Sequence, residues 1–94
     1  MYAFRAELWQ YEGPGAWYFV SLPPDVADDI QTRFGPQAAG FGSIKVEAAV
    51  GSTRWPTSLF PDKARGTYLL PIKKAVREAE NLEAGDIATV ELRI

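Results

Sequence analysis

The side chains best equipped for chemistry fall in two short stretches. Arg54, Trp55, Thr57 and Ser58 stand almost side by side, and Lys73, Lys74 and Arg77 follow in one predicted helix. Arginine offers a planar fork to a carboxylate or phosphate, and hydroxyls and an indole N–H add donors. If these seven converge at one end of the fold, they make a binding site for an anionic group. The alternative is structural: Trp55 plugs a barrel end, Pro56 and Pro61 stiffen its loop, and the lysines line a solvated helix face. Lys73 and Lys74 lie in the first helical turn, where positive charge opposes the helix dipole by a few tenths of a kcal/mol. That placement invites a functional explanation, although surface lysines tolerate such costs.

Other chemistries find fewer parts. The chain has no cysteine and no histidine, so it lacks the base and thiol of Ser-His or Cys-His catalysis and the ligands of a thiolate zinc site. A Ser-Lys pair would need Ser58 to meet Lys73 or Lys74, and nothing in the spacing brings them together. Asp25, Asp28 and Asp29 share one helix face but belong to no EF-hand-like loop, so they read as acidic residues suited to the early turns of a helix. Gly13-Pro14-Gly15 lies between two strand-like runs and reads as a hairpin turn rather than a phosphate loop. The sequence leans against an enzyme, and no cofactor or metal is implied.

The elements that must position these residues are legible from periodicity. Tyr2, Phe4, Ala6 and Leu8 alternate with Ala3, Arg5, Glu7 and Trp9, which predicts a strand almost from the first residue. An aromatic-rich run, Trp17 to Leu22, leads into Pro23 and then Val26, Ala27, Ile30 and Phe34 at helical spacing. Ile44, Val46, Ala48 and Val50 alternate as a further strand. A strand ends at Leu70, and Pro71 reads as a helix start because proline lacks the N–H that the first turn leaves unpaired. Ile72, Ala75, Val76, Ala79 and Leu82 then mark a helix of about three turns. Gly85-Asp86 turns the chain into a final strand of Ala88, Val90, Leu92 and Ile94. Ile44, Val46, Ala48, Val90 and Leu92 are expected in the core, as are Phe4, Trp17, Phe19 and Tyr68.

Strand, Leu-Pro, helix, glycine, strand occurs twice, with Leu22-Pro23 and Leu70-Pro71 spaced 48 residues apart and Gly40 and Gly85 spaced 45 apart. A repeat of half the chain length is expected where one supersecondary unit is used twice, although the helices differ by a residue in register and chance similarity stands as the alternative. The second copy, with Arg77 inside its helix and Gly85-Asp86 before its last strand, resembles the swapped-hairpin element of the AbrB and MazE type. Along nearly its whole length the chain is similar to the domain-of-unknown-function family numbered nineteen-zero-five. The resemblance rests on Trp17, Leu22-Pro23, Gly42 to Val46, Trp55 to Pro61, Gly66-Thr67-Tyr68 and Leu70 to Arg77. It implies a fold, a double-split β-barrel related to the AbrB and MazE architecture, and little about activity.

The expectation is therefore a mainly β protein with two short helices, residues 1–94 forming a single domain, its barrel closed within one chain by an internal duplication. The 94 residues carry a net charge of −2 and a pI near 5.0. Charge is unevenly spread: residues 1–47 sum to −3 and residues 48–94 to +1. Residues 54–77 alone hold Arg54, Lys63, Arg65, Lys73, Lys74 and Arg77 against Asp62. DNA-binding domains usually show a basic face and a high pI, so the acidic balance argues against nucleic acid and leaves an AbrB-like DNA-binding domain as the alternative reading. No stretch is apolar enough for a membrane helix, and no signal peptide is apparent. A cytoplasmic binding or interaction module is expected, for an anionic small molecule or a protein partner, acting as a monomer or weak dimer.

Overall fold

Six short, mostly alternating strands cannot each bury an apolar face alone, and here they do so by closing on one another. The computed structural model describes residues 1–38 and 40–94. Along the chain run β1 (Tyr2–Gln10), β2 (Tyr18–Ser21), α1 (Pro24–Phe34), two single 3-10 turns, β3 (Ile44–Val50), β4 (Thr53–Asp62), β5 (Thr67–Pro71), α2 (Lys74–Ala79) and β6 (Ile87–Arg93). The strands form a closed antiparallel barrel in the order β1-β2-β5-β4-β3-β6. Closure joins the first and last strands, although β1 before Leu8 and β4 before Phe60 are each paired on one side only. Among the described residues no helix is long and apolar enough to cross a membrane.

Alternation fills the interior. Phe4 and Leu8, Val20, Val46 and Ala48, Trp55 and Leu59, Tyr68 and Leu70, Val90 and Leu92 point inward and are buried. Leu22 and Ile72, which follow β2 and β5, close the core together with Ala27 and Ile30 of α1 and Val76 of α2. The five strand residues expected inside, Ile44, Val46, Ala48, Val90 and Leu92, are all there.

Three elements differ from the sequence reading. The stretch around Trp55 is not a loop but the longest strand, β4. Proline is tolerated in a strand where its missing N–H has no ladder partner to serve. Pro56 lies where β4 pairs only with β3, and Pro61 where it pairs only with β5. Pro71 is the last residue of β5, paired with Phe19, rather than the first of a helix. The helix starts at Lys74 after an extended Lys73 and lasts six residues, not three turns. Asn81, at a left-handed φ of 52°, helps turn the chain away, and the Leu82 amide donates to the Arg77 carbonyl at 2.8 Å. By contrast α1 opens as proline permits, with Pro24 in its first turn and Arg33 in its last.

Exchanging β1 with β4, β2 with β5 and β3 with β6 leaves every neighbour relation in the barrel unchanged. Hydrogen bonds obey the same exchange: the Leu22 amide donates to the Tyr68 carbonyl at 3.0 Å, and the Ile72 amide to the Tyr18 carbonyl at 2.9 Å. Leu22 thus corresponds to Ile72, and Pro23 to Lys73, both immediately before a helix. The two Leu-Pro steps are therefore not equivalent; they lie two residues out of register.

Candidate functional site

The seven residues singled out above do not converge. On β4 successive side chains point to opposite faces, so Trp55 and Thr57 face the interior while Arg54 and Ser58 face out. Trp55 is 5% exposed and sits in the core, which removes it as a ligand platform. Arg54 is exposed and reaches across to Glu47 of β3 at 3.7 Å. Arg77 turns back on the fold: its Nε donates to the Ile72 carbonyl at 3.1 Å and its guanidinium covers the Tyr18 ring at 3.8 Å. Lys73 and Lys74 are exposed and take part in no ion pair among the described residues. The basic stretch also breaks up, because Arg65 is held by Asp62 at 2.9 Å. A charged fork, an indole and two hydroxyls close together in sequence are divided by the strand's two-residue period.

A different constellation is assembled on the outer surface. Across β1, β2, β5 and β4 the outward positions bring Trp9 opposite Phe19, Phe19 opposite Pro71, and Leu69 opposite Phe60. Tyr11 and Trp17 extend the strip beyond the strand ends, where the Tyr11 amide donates to the Trp17 carbonyl at 2.9 Å. Tyr11, Trp17, Phe19, Phe60, Leu69 and Pro71 enclose a shallow depression walled almost wholly by apolar atoms. Trp17 is 55% exposed, Tyr11 48% and Phe60 45%. Single exposed apolar residues are ordinary; a contiguous aromatic patch is not.

These rings are held in place. Trp17 stacks on Phe19 with centroids 6.3 Å apart and planes 9° from parallel, and Phe19 meets Trp9 at 5.3 Å. The Trp9 indole donates to Ser21 Oγ at 3.1 Å, and Arg65, fixed by Asp62, lies over the Trp9 ring at 4.7 Å. Gly15, at φ +88°, turns the β1–β2 connection, and a Cβ there would press on the Trp17 indole. Beside the aromatic strip, Glu7, Gln10 and Glu12 join Trp9, Tyr11, Ser21 and Arg65 around a second, polar depression. Glu7 and Glu12 have no cationic partner among the described residues, whereas Arg65 is already paired.

Periodicity could not reveal this surface. Trp17 to Leu22 is nearly all apolar, so both faces of β2 look buried and the pattern predicts Trp17 and Phe19 inside; they lie on the outer surface instead. The available signal was Leu59-Phe60: two adjacent apolar residues in a period-two strand cannot both point inward. Among the described residues no cluster of acidic groups could hold a metal, and no buried side-chain polar atom lacks a partner.

A closed six-stranded antiparallel barrel with two short helices, carrying an aromatic outer face, defines a small β-barrel protein. The chain belongs to the family described as Domain of unknown function (DUF1905), whose model matches residues 4–92. No curated protein matches the chain significantly.

Proposed function

We propose that the chain is a cytoplasmic, non-enzymatic interaction module and that its contact surface is the outer aromatic face of β1, β2, β5 and β4, which takes a protein partner. The observation that carries this reading is the contiguity of Tyr11, Trp17 and Phe60, each about half exposed on one nearly all-apolar depression. Aromatic side chains bury much area at low entropy cost and dominate contact energetics. The anionic-ligand reading is less favoured, since Trp55 lies in the core, Arg54 faces out toward Glu47, and Arg77 is turned onto the Ile72 carbonyl and the Tyr18 ring. The DNA-binding alternative gains none, since Arg54, Arg65 and Arg77 are each engaged within the fold. The exchangeable pairing of the two halves is what an internal duplication would leave, and Trp9 and Phe60, at corresponding positions beside Phe19 and Leu69, would then descend from one ancestral site.

The test is photo-crosslinking in the host cell with benzoylphenylalanine placed in turn at positions 17, 60, 5 and 89. Positions 17 and 60 belong to the proposed face; Arg5 and Thr89 are exposed and pair across β1 and β6 elsewhere on the barrel. Adducts confined to 17 and 60 are expected. Adducts of equal strength at all four positions, or at 5 and 89 alone, would overturn the reading.

A further inference from the structure

The aromatic strip and the two carboxylates beside it, which have no cationic partner among the described residues, define what kind of partner segment fits. Resting on the interaction-module reading, we infer that the face takes an extended, proline-containing peptide in polyproline II conformation, with an arginine or lysine of that peptide reaching Glu7 and Glu12. Geometry excludes the other peptide modes. Within the strip Phe19 is paired with Trp9 on one side and Pro71 on the other, and Leu69 with Ser21 and Phe60, so no free edge lies there for an added strand. The depression is shallow and lies on the convex side of the sheet, so it lacks the deep groove that an amphipathic helix fills with bulky anchors. The apolar strip rests on six side chains, well short of the ~800 Å² per partner of a standard interface. With so little area to bury, the occupant must lose little conformational entropy on docking, and a polyproline II segment is already ordered. Pyrrolidine rings pack well against aromatic side chains, and the near absence of polar atoms in this depression disfavours a sugar, whose hydroxyls would be desolvated without partners.

Charge gives the orientation. Glu7 and Glu12 line the neighbouring polar depression with Trp9 and Tyr11 and take part in no ion pair among the described residues, while Arg65, which also lines it, is committed to Asp62 and to the Trp9 ring. The local complement is therefore a cation, placed at the β1 side of the aromatic strip.

The experiment is titration of the ¹⁵N-labelled chain with a synthetic peptide of about ten residues in which prolines recur every third position behind one arginine, followed by heteronuclear correlation spectra. The indole resonances of Trp9 and Trp17 are expected to shift saturably while that of the buried Trp55 stays in place. Trp17→Ala and Phe60→Ala, both on exposed sites and checked for folding by their amide spectra, should each weaken binding about tenfold or more. Replacing the peptide arginine by glutamate, or Glu7 and Glu12 by glutamine, should weaken it about three- to tenfold and remove its salt dependence. A peptide with alanine for proline that binds equally well would overturn the polyproline inference. Absence of any shift would overturn the peptide partner altogether. If the cross-links at 17 and 60 persist in that case, the face serves another partner; if concentration-dependent shifts of Trp17 appear without peptide, that partner is a second copy.

Discussion

At the residue scale, single side chains tie helix to barrel at two places, and each makes a separate prediction. The Tyr2 hydroxyl donates to Asp29 Oδ2 at 2.6 Å, and Arg33 approaches the same carboxylate at 3.1 Å, so β1 is tied to α1. The hydrogen bond from Tyr2, with Arg33 adding to it against some burial, holds the Asp29 carboxyl below its ordinary range. Burial, helped by that same bond, pushes the Tyr2 hydroxyl above its own. Below about pH 4 the unfolded chain binds the Asp29 proton more readily than the folded one, so this contribution is present above that pH and is lost as pH falls through the lowered folded value. Tyr2 has the opposite sign: its contribution is present below about pH 10 and is lost as pH rises. Urea midpoints measured from pH 2.5 to 6 should therefore show a shallower acid slope in Asp29→Asn than in the parent; an unchanged slope would mean that the pair does not distinguish folded from unfolded chain.

The second tie is Glu80, just past α2, which accepts a hydrogen bond from Thr53 Oγ1 at 2.6 Å across the β3–β4 turn. Gly51 makes that turn at φ +58°, and a Cβ there would fall on the Glu80 carboxylate. Gly51→Ala should cost about 1–3 kcal/mol, combining a strained left-handed backbone with displacement of Glu80. Combining it with Glu80→Ala should recover the part due to the clash, and a double-mutant cycle of unfolding free energies measures that coupling.

At the element scale, the strands differ in how plainly sequence announces them. Where one face is apolar and the other charged, as in β3 and β6, period two suffices: Lys45 and Glu47 or Thr89 and Glu91 mark the outside, and the buried set follows. Where both faces are apolar, as in β2, the pattern is silent about direction, and it does not distinguish the outward Phe19 and the exposed Trp17 from core residues. In β4 two prolines masked a strand, because sequence does not show that each would meet a neighbour on one side only. Residues 54 to 58 straddle two faces of the same strand, so closeness in sequence does not bring their side chains together. The inward assignment of β6 makes Val90→Ala a cavity mutation on a fully buried site, expected to cost about 1–3 kcal/mol in urea unfolding. A loss below about 0.5 kcal/mol would mean that the site is not packed as described.

At the scale of the whole molecule, the barrel closes within one chain, so folding needs no partner strand. A species of 10.4 kDa is expected in sedimentation velocity at low micromolar concentration, with association at higher concentration, if any, abolished by Phe60→Ala. A dimer that persists at nanomolar concentration and survives Phe60→Ala would place the contact elsewhere. The molecule spends its aromatic residues in two ways. Trp55, Phe4 and Tyr68 fill the interior, while Tyr11, Trp17 and Phe60 stay about half in solvent. Rings of the first kind are needed for the fold, and rings of the second kind are available for contact.

That division is tested most directly by urea unfolding of Trp17→Ala/Phe60→Ala beside Trp55→Ala. Trp55→Ala should lose about 3–5 kcal/mol through lost burial and a cavity. The outer double variant should lose less than about 1 kcal/mol, since its rings are already about half solvated in the folded chain and give up only the stacking on Phe19 and contacts at the surface. A loss of about 3 kcal/mol or more in the outer variant would show that Trp17 and Phe60 are kept for stability, and the case for a contact face would fall.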